Sequence, residues 1–230
     1  KEVMENKTYN IIDLFCGCGG LSLGFEKAGY DVLLGIDIWK DALETYKFNH
    51  HKSNVLCADM STLTGDDVST LLGKKNVDVI IGGPPCQGFS VAGKRIVDDE
   101  RNKLYKGFVR MVAYFKPSAF VMENVPNILS IGGGVVKQSI LYDFQKLGYH
   151  VETKVLLASD YGVPQNRRRA VFVGLRNGVF DFNIPTVEHL VTTEEALSDL
   201  TEDSIADETP YPIAPSCDYQ RLMRASSKVV

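Results

Sequence analysis

The sequence predicts an α/β fold in which a doubly wound, mostly parallel β-sheet is covered by helices on both faces. Two observations lead to this prediction. Short, nearly continuous apolar runs rich in β-branched residues alternate with stretches whose apolar residues recur at helical spacing. Segments rich in glycine, proline or acidic residues follow these apolar runs. Strands that are apolar throughout are typical of parallel sheets, because both of their faces are buried.

The alternation runs from the N-terminus to Gly148. The predicted strands cover residues 9–15, 32–36, 77–81 and 119–122. The predicted helices cover residues 21–28, 40–49, 103–115 and 137–147. Gly29 and Gly148 directly follow two of these helices, at the position where a glycine in the left-handed conformation commonly ends a helix.

The pattern changes after Gly148. Two extended runs, 150–157 and 170–175, flank a polar loop at 158–169, and we predict both as edge strands that close the sheet. Beyond residue 180 only a short helix near 193–200 is predicted, and proline and turn residues follow it. We therefore expect a catalytic domain over residues 1–180 and an acidic, proline-containing extension over 181–230.

The chain's charge is unevenly distributed. Nine acidic residues and no Lys or Arg lie between residues 181 and 210, so the rest of the chain carries +5, against −4 for the whole. The acidic total therefore does not exclude a nucleic-acid ligand.

The apolar runs and the cysteines bear on which cellular compartment the protein occupies. Apolar runs are too short to span a membrane, and the first ten residues lack an apolar signal core. Five scattered cysteines are typical of a reducing compartment such as the cytoplasm. The pair Cys16 and Cys18 has no second Cys or His pair at ligand spacing, so we expect no metal.

A glycine-rich turn follows the first strand, with the sequence DLFCGCGGL at residues 13–21. Such a turn lets the backbone approach a nucleotide-like ligand, and its spacing differs from the G-x-G-x-x-G of dinucleotide sites. Asp37 ends the second strand, where an acid accepts hydrogen bonds from ribose hydroxyls. Asp59 follows the third strand, which lies between the runs 32–36 and 77–81. Either aspartate, taken alone, is more often a turn or cap residue.

The fourth strand is followed by GGPPCQGFS at residues 82–90. This places Cys86 at the carboxyl end of a parallel strand, where ligands bind in such sheets. The two prolines restrict the backbone, whereas the glycines permit a loop to move over a substrate. A free cysteine is more often a buried structural residue. The proline- and glycine-rich sequence around Cys86 instead favours a functional site.

Two further segments carry charged residues. The fifth strand ends in ENVP at residues 123–126, which brings a carboxylate to the same edge as the thiol. The segment QNRRR at residues 165–169 precedes the last extended run. In an extended segment Arg167 and Arg169 point to one face, where two guanidinium groups suit a phosphate, or a base carbonyl together with a carboxylate. Three arginines alone would more often form a solvated surface.

Together these four segments resemble the ordered signature motifs of the bacterial DNA (cytosine-5) methyltransferases. They follow the family's order and approximate spacing over about 165 of the 230 residues, and PCQ followed by ENV is highly specific. The resemblance implies the Rossmann-like fold of S-adenosylmethionine-dependent methyltransferases. It also implies S-adenosylmethionine as cofactor, no metal, and methylation of carbon 5 of cytosine in double-stranded DNA.

The resemblance assigns roles to individual residues. The expected cofactor-binding residues are Phe15, Gly17, Gly19, Gly20, Leu21, Asp37, Ile38, Asp59, Met60 and Pro85. The expected catalytic residues are Cys86, Glu123, Arg167 and Arg169, and the expected substrate-binding residues are Gln87, Ser90, Arg95, Arg101, Asn124 and Gln165. Asp37 would hold the ribose, Ile38 would pack on the adenine, and Asp59 would bind the adenine amino group.

The family's chemistry follows from the weak nucleophilicity of cytosine carbon 5. Attack by the Cys86 thiolate on carbon 6 would activate the ring, with Glu123 donating a proton to nitrogen 3. The base would have to flip out of the duplex.

The resemblance further implies a monomer in the bacterial cytoplasm or nucleoid, partnered functionally by a restriction endonuclease. Nothing after residue 180 matches the family's last motif, so we expect the DNA-specificity domain to be missing.

Three alternatives remain open from the sequence. A tRNA-methylating member of the same family is one, although residues 88–90 resemble the bacterial DNA enzymes more. An NAD-type oxidoreductase is disfavoured by the G-x-G-G spacing and by the PCQ segment. A non-catalytic paralogue would be expected to lose Cys86 or Glu123, and both are present.

Overall fold

The computed structural model describes residues 8–85, 103–200 and 213–225. Two compact units divide the chain. The first comprises Lys1–Val155 with Ala170–Phe182, and the second comprises Leu156–Arg169 with Asn183–Val230. The division differs from the predicted boundary at residue 180, because the loop before the last strand groups with the C-terminal residues.

A seven-stranded sheet organises the first unit, with the strand order β3-β2-β1-β4-β5-β7-β6. The pairs β1–β2, β1–β4, β2–β3 and β4–β5 are parallel, and β5–β7 is antiparallel. This is the predicted doubly wound, mostly parallel α/β architecture. The strands are β1 (Asn10–Leu14), β2 (Asp31–Asp37), β3 (Asn54–Cys57), β4 (Val79–Gly82), β5 (Ala119–Asn124), β6 (His150–Leu157) and β7 (Arg168–Leu175).

The prediction of two edge strands is wrong for the second run. Of these two strands, β6 lies at an edge of the sheet, and β7 is inserted between β5 and β6. Its residues Ala170, Phe172 and Val173 are buried, as expected for an apolar strand in the interior of a sheet. β7 pairs with β5 along the whole of β5, from Asn124 back to Ala119, and this explains the burial.

Seven α-helices lie in the described part of the chain, and the predicted ones are confirmed to within two or three residues. They are α1 (Gly20–Lys27), α2 (Lys40–Asn49), α3 (Gly65–Leu72), α4 (Lys103–Phe115), α5 (Val135–Lys146), α6 (Thr193–Leu197) and α7 (Asp218–Arg224). The short helices α3 and α7 were not predicted. The signal for α3 was the capping box of Thr64 and Asp67, which fixes its start. Gly29 and Gly148 have φ values of 89° and 84° and follow α1 and α5, as predicted.

Apolar side chains cover both faces of the sheet. Consecutive residues Ile11 and Ile12 belong to different buried clusters, since neighbouring strand residues point to opposite faces. The larger cluster contains Phe120 of β5, whose ring stacks on Phe144 of α5 at 4.0 Å between centroids. Burying each such side chain stabilises the fold by about 1.5–3 kcal/mol. Among the described residues, no helix is both long and apolar enough to cross a membrane.

The second unit has its own polar packing. Arg224 of α7 donates hydrogen bonds of 3.0 and 2.9 Å to the two carboxylate oxygens of buried Asp199. Gln220 is fully buried; its amide donates to the Glu195 carbonyl at 2.7 Å and accepts from the Ser216 amide at 2.7 Å. The acidic extension therefore uses part of its charge to hold two short helices together.

Candidate active site

A cleft of about 680 Å³ opens at the carboxyl edge of the sheet. Its walls come from the residues that follow β1, β2, β3 and β4 and from the start of α4. Six of the ten predicted cofactor-binding residues line it: Phe15, Asp37, Ile38, Asp59, Met60 and Pro85. The sequence reasoning missed the other lining residues, which are Ala58, Ser61, Gly83, Lys103 and Leu104.

Asp37 connects the second strand to the glycine-rich turn. Its Oδ2 accepts a hydrogen bond of 2.8 Å from the Gly17 amide, and its Oδ1 accepts one of 2.9 Å from the Trp39 amide. Each carboxylate oxygen has a second lone pair. The residue therefore fixes the turn and retains acceptor capacity toward the cleft that it lines.

Phe15 adopts a backbone conformation that is rare for its residue type, with φ at 61°. A bulky residue in the left-handed region costs on the order of 1–3 kcal/mol, so it persists only where the surroundings hold it. Its side chain packs against the larger buried cluster, and the next amide, of Cys16, donates to the Ile36 carbonyl at 3.0 Å. The strain places the aromatic ring at the cleft, as commonly occurs at functional sites.

Asp59 lies on the opposite wall, in the segment after β3. Its carboxylate accepts the Ser61 amide hydrogen at 2.8 Å, and this bond lowers the pKa of Asp59 below its ordinary value. The charged form is a hydrogen-bond acceptor only. An amino group of a ligand is therefore a suitable partner for Asp59.

Four predicted cofactor residues, Gly17, Gly19, Gly20 and Leu21, shape the turn and are not among the residues that line the cleft. A Cβ on Gly19, whose φ is 90°, would lie 2.1 Å from Nε2 of His50, so this glycine is required for packing. Leu21 packs against the smaller buried cluster. Their predicted contact with the cofactor stays a prediction.

A buried polar network lies beneath the turn, and the sequence did not reveal it. Ser22 Oγ donates to Asp13 Oδ2 at 2.6 Å and lies 2.9 Å from the Tyr46 hydroxyl. Burial raises the pKa of Asp13 to about 7, although hydrogen bonds from Ser22 oppose the shift. An aspartate inside an otherwise apolar strand was the available signal, because a buried carboxyl group needs partners.

Cys16 and His50 are buried next to this network. Burial raises the pKa of the Cys16 thiol, which disfavours the reactive thiolate form. His50 is buried, and its Nδ1 lies 2.8 Å from the Glu26 carboxylate. Within the described ranges, no three His, Cys, Asp or Glu side chains are grouped as a metal site would require.

Glu123 and Asn124 end β5 beside the segment that leads to Cys86. Oε2 of Glu123 lies 3.1 Å from the point that a Cβ on Gly83 would occupy, so the glycine leaves room for the carboxylate. The buried Asn124 donates from Nδ2 to the Pro84 carbonyl at 2.7 Å, and its Oδ1 accepts from the Val125 amide at 2.9 Å. The backbone two residues before Cys86 is therefore tied to β5.

Several predicted site residues have other locations. Cys86, Gln87, Ser90, Arg95 and Arg101 lie outside the described residues. Gln165, Arg167 and Arg169 belong to the second unit. The first two lie in the segment before β7, and Arg169 is the second residue of that strand. There the Arg167 amide donates to the Gln165 carbonyl at 2.8 Å. The roles of these residues toward a base stay predictions.

Comparison with known proteins covers nearly the whole chain. The model of the family described as C-5 cytosine-specific DNA methylase matches residues 9–226. Type II methyltransferase M.DdeI of Desulfomicrobium norvegicum is 44% identical over 236 residues, which cover 96% of this chain and 56% of that protein. Type II methyltransferase M1.HphI of Haemophilus parahaemolyticus is 47% identical over 170 residues, covering 73% and 46%. The chain spans about half the length of these relatives.

Solved structures agree with the fold. A crystal structure described as a prophage-encoded DNA modification methyltransferase (E. coli) superposes with a TM-score of 0.74 at 35% identity, covering 85% of this chain and 56% of that one. The methyltransferase EhMeth of Entamoeba histolytica has a TM-score of 0.71 over 86% of this chain and 62% of its own, and at 22% identity it supports the fold alone. The family match and the identities to the Type II enzymes establish that this chain belongs to the C-5 cytosine-specific DNA methylases.

Proposed function

We propose that the protein binds S-adenosylmethionine in the cleft and methylates carbon 5 of cytosine in double-stranded DNA. One observation carries the proposal. The cleft lined by Phe15, Asp37 and Asp59 lies at the sheet edge where the Asn124–Pro84 contact anchors the segment that leads to Cys86. The proposed nucleoside site and the segment that leads to the nucleophile therefore lie at the same edge of the sheet.

The residues of the cleft fit the proposed cofactor. Asp37 retains lone pairs for ribose hydroxyl donors, and the low pKa of Asp59 keeps it a charged acceptor for the adenine amino group. Phe15 and the exposed Ile38 offer apolar surface to an adenine ring. The volume of about 680 Å³ lies within the range of roughly 300–1,000 Å³ typical of small-molecule sites. When bound, S-adenosylmethionine supplies the electrophilic methyl group.

The chain's own residues perform the rest of the chemistry. The Cys86 thiolate forms a bond to carbon 6 of the flipped cytosine, while Glu123 donates a proton to nitrogen 3. The electron pair displaced from the 5,6 double bond makes carbon 5 nucleophilic toward the methyl group. Transfer would break the methyl–sulfur bond of S-adenosylmethionine and leave S-adenosylhomocysteine. Loss of the carbon 5 proton to solvent then restores the double bond and expels the thiolate, and nitrogen 3 returns its proton to Glu123.

Asn124 acts as a positioning residue in this proposal. Its amide is buried and bonded to the Pro84 carbonyl and the Val125 amide, which supports a role in anchoring the Cys86 segment over direct contact with DNA. The Type II relatives further support a place in restriction and modification, with a cognate endonuclease acting on the same sites.

Incubation with tritiated S-adenosylmethionine and either duplex DNA or tRNA tests the proposal. The wild-type chain should label DNA, and Cys86→Ser should not. Duplex DNA carrying 5-fluorocytosine should form a covalent adduct with the wild type and none with the variant. Fluorine replaces the carbon 5 hydrogen and cannot be removed as a proton, so the thiolate stays bonded to carbon 6. Label in tRNA alone would favour the tRNA-methylating alternative, and equal labelling by Cys86→Ser would contradict the covalent mechanism.

A further inference from the structure

Arg110 lies in the middle of α4 and donates hydrogen bonds to the segment between β3 and α3. Its Nε and Nη2 donate to the Leu63 carbonyl at 3.2 and 2.9 Å, and Nη2 also donates to the Met60 carbonyl at 2.7 Å. The guanidinium is partly buried, so these bonds are shielded from water. A planar fork of fixed donors suits two neighbouring carbonyls, which a lysine head cannot bind in the same geometry.

The segment that Arg110 holds forms one wall of the cleft. Residues 58–61 all line it, and they belong to neither a strand nor a helix. Within the segment, the amides of Thr62 and Leu63 donate to the Asp59 carbonyl at 3.1 and 3.0 Å. The position of the Asp59 carboxylate therefore depends on a short turn whose carbonyls are bonded to α4.

Gly107 brings α4 close enough for these bonds. It lies one turn before Arg110 and is buried, and a Cβ there would lie 2.4 Å from the Met60 carbonyl oxygen. Glycine is disfavoured within a helix, so its presence indicates a packing requirement. The helix thus contacts the same carbonyl at two successive turns.

We propose that Arg110 is a positioning residue that sets the Asp59 wall for recognition of the adenine amino group. The proposal rests on the proposed function of the cleft. It also links two parts of the site, because α4 begins with Lys103 and Leu104 in the same cleft and directly follows residues 86–102, which contain Cys86. A shift of α4 would therefore be transmitted through Arg110 to the cofactor wall.

Binding of two ligands by isothermal titration calorimetry tests the inference. S-adenosylhomocysteine carries the adenine amino group, and S-inosylhomocysteine has a carbonyl oxygen in its place. Wild type should prefer the first by about ten-fold, since one hydrogen bond to a charged group is lost with the second. Arg110→Lys keeps the charge and should reduce this preference to about two-fold. Gly107→Ala, which displaces the same carbonyl from the other turn, should do likewise.

Tyr114→Phe is the matched control. Tyr114 lies one turn beyond Arg110 and donates to the Asp66 carboxylate at 2.7 Å, outside the cleft wall, so its removal should leave the preference unchanged. Arg110→Lys with an intact ten-fold preference, or with an equal loss of affinity for both ligands, would overturn the inference while leaving the cofactor site in place. Wild type that binds neither ligand would overturn the proposed cofactor site itself.

Discussion

The cleft and the buried network beneath the glycine-rich turn use polar side chains in opposite ways. On the cleft side, Asp37 and Asp59 are bonded to backbone amides and still have lone pairs for a ligand. On the buried side, Asp13, Ser22 and Tyr46 bond to one another. The cleft therefore keeps acceptor groups for a ligand, whereas the polar groups of the buried network bond to one another.

Because of this difference, we expect ligand affinity and folding stability to depend on different residues. A buried carboxyl group is expensive to leave unpaired, so the network beneath the turn is expected to contribute to folding. Exposed groups at the cleft contribute little to folding, because water solvates them equally well. Substitutions on the buried side should change the free energy of unfolding, whereas those on the cleft side should change ligand affinity.

The largest effect is expected at Gly19. Gly19→Ala would place a methyl group 2.1 Å from His50 at a φ of 90°, and should lower the free energy of unfolding by about 3–5 kcal/mol. Gly17→Ala is the matched control: its φ is 52° and no atom lies within 4 Å of the added methyl group, so the loss should be about 1 kcal/mol. Urea unfolding measures both, and equal losses would contradict the close packing at Gly19.

An intermediate effect is expected from the pH dependence of Asp13. In the folded protein its carboxyl group stays protonated up to its pKa of about 7, whereas in the unfolded chain it ionises near the ordinary pKa of 3.8. Between these values the unfolded chain binds fewer protons, so the free energy of unfolding falls as pH rises and levels off above pH 7. The fall is about 1.4 kcal/mol per pH unit at most, or roughly 2 kcal/mol from pH 5 to 7.

Asp13→Asn isolates this contribution. The asparagine keeps an acceptor oxygen for Ser22 and cannot ionise, so its urea-unfolding profile should lack the decline assigned to Asp13. The difference between variant and wild type should therefore move in the variant's favour from pH 5 to 7. Parallel profiles would mean that Asp13 is ionised in the folded protein.

The smallest effect on stability is expected at Ile38, on the cleft side. Its side chain is 67% exposed, so Ile38→Ala should change the free energy of unfolding by less than about 0.5 kcal/mol. The affinity for S-adenosylhomocysteine should nevertheless fall about three- to ten-fold, because apolar surface for the adenine is removed. Calorimetry and urea unfolding on the same samples would separate the two effects. A loss of stability without a loss of affinity would contradict the assignment of Ile38 to ligand binding.

Most strands and helices of the first 150 residues, α3 excepted, were predictable because their apolar periodicity is strong. Helices at 40–49 and 103–115 coincide with α2 and α4, and the strand bounds differ by at most two residues. The misplacement of β7 has a physical reason. Its apolar run is compatible with either position, and only pairing with β5 placed it inside the sheet.

The lining of the cleft was predictable where residues directly follow parallel strands. Phe15, Asp37 and Asp59 reach one edge because the carboxyl ends of parallel strands meet there. Lys103 and Leu104 were missed because they begin a helix whose place at the cleft depends on how it packs. Arg110 carried no local signal, since its partners are 47 and 50 residues away in the sequence.

The sequence by itself determined the family, the parallel sheet and the segments that reach its carboxyl edge, because periodicity and motif order are local properties. Only the tertiary structure decided what surrounds each polar side chain. Asp13 and Asp37 both belong to apolar strands, yet one is buried against Ser22 and the other lines the cleft. Burial and hydrogen-bond partners depend on contacts between distant elements, and these set the pKa and the role of each carboxylate.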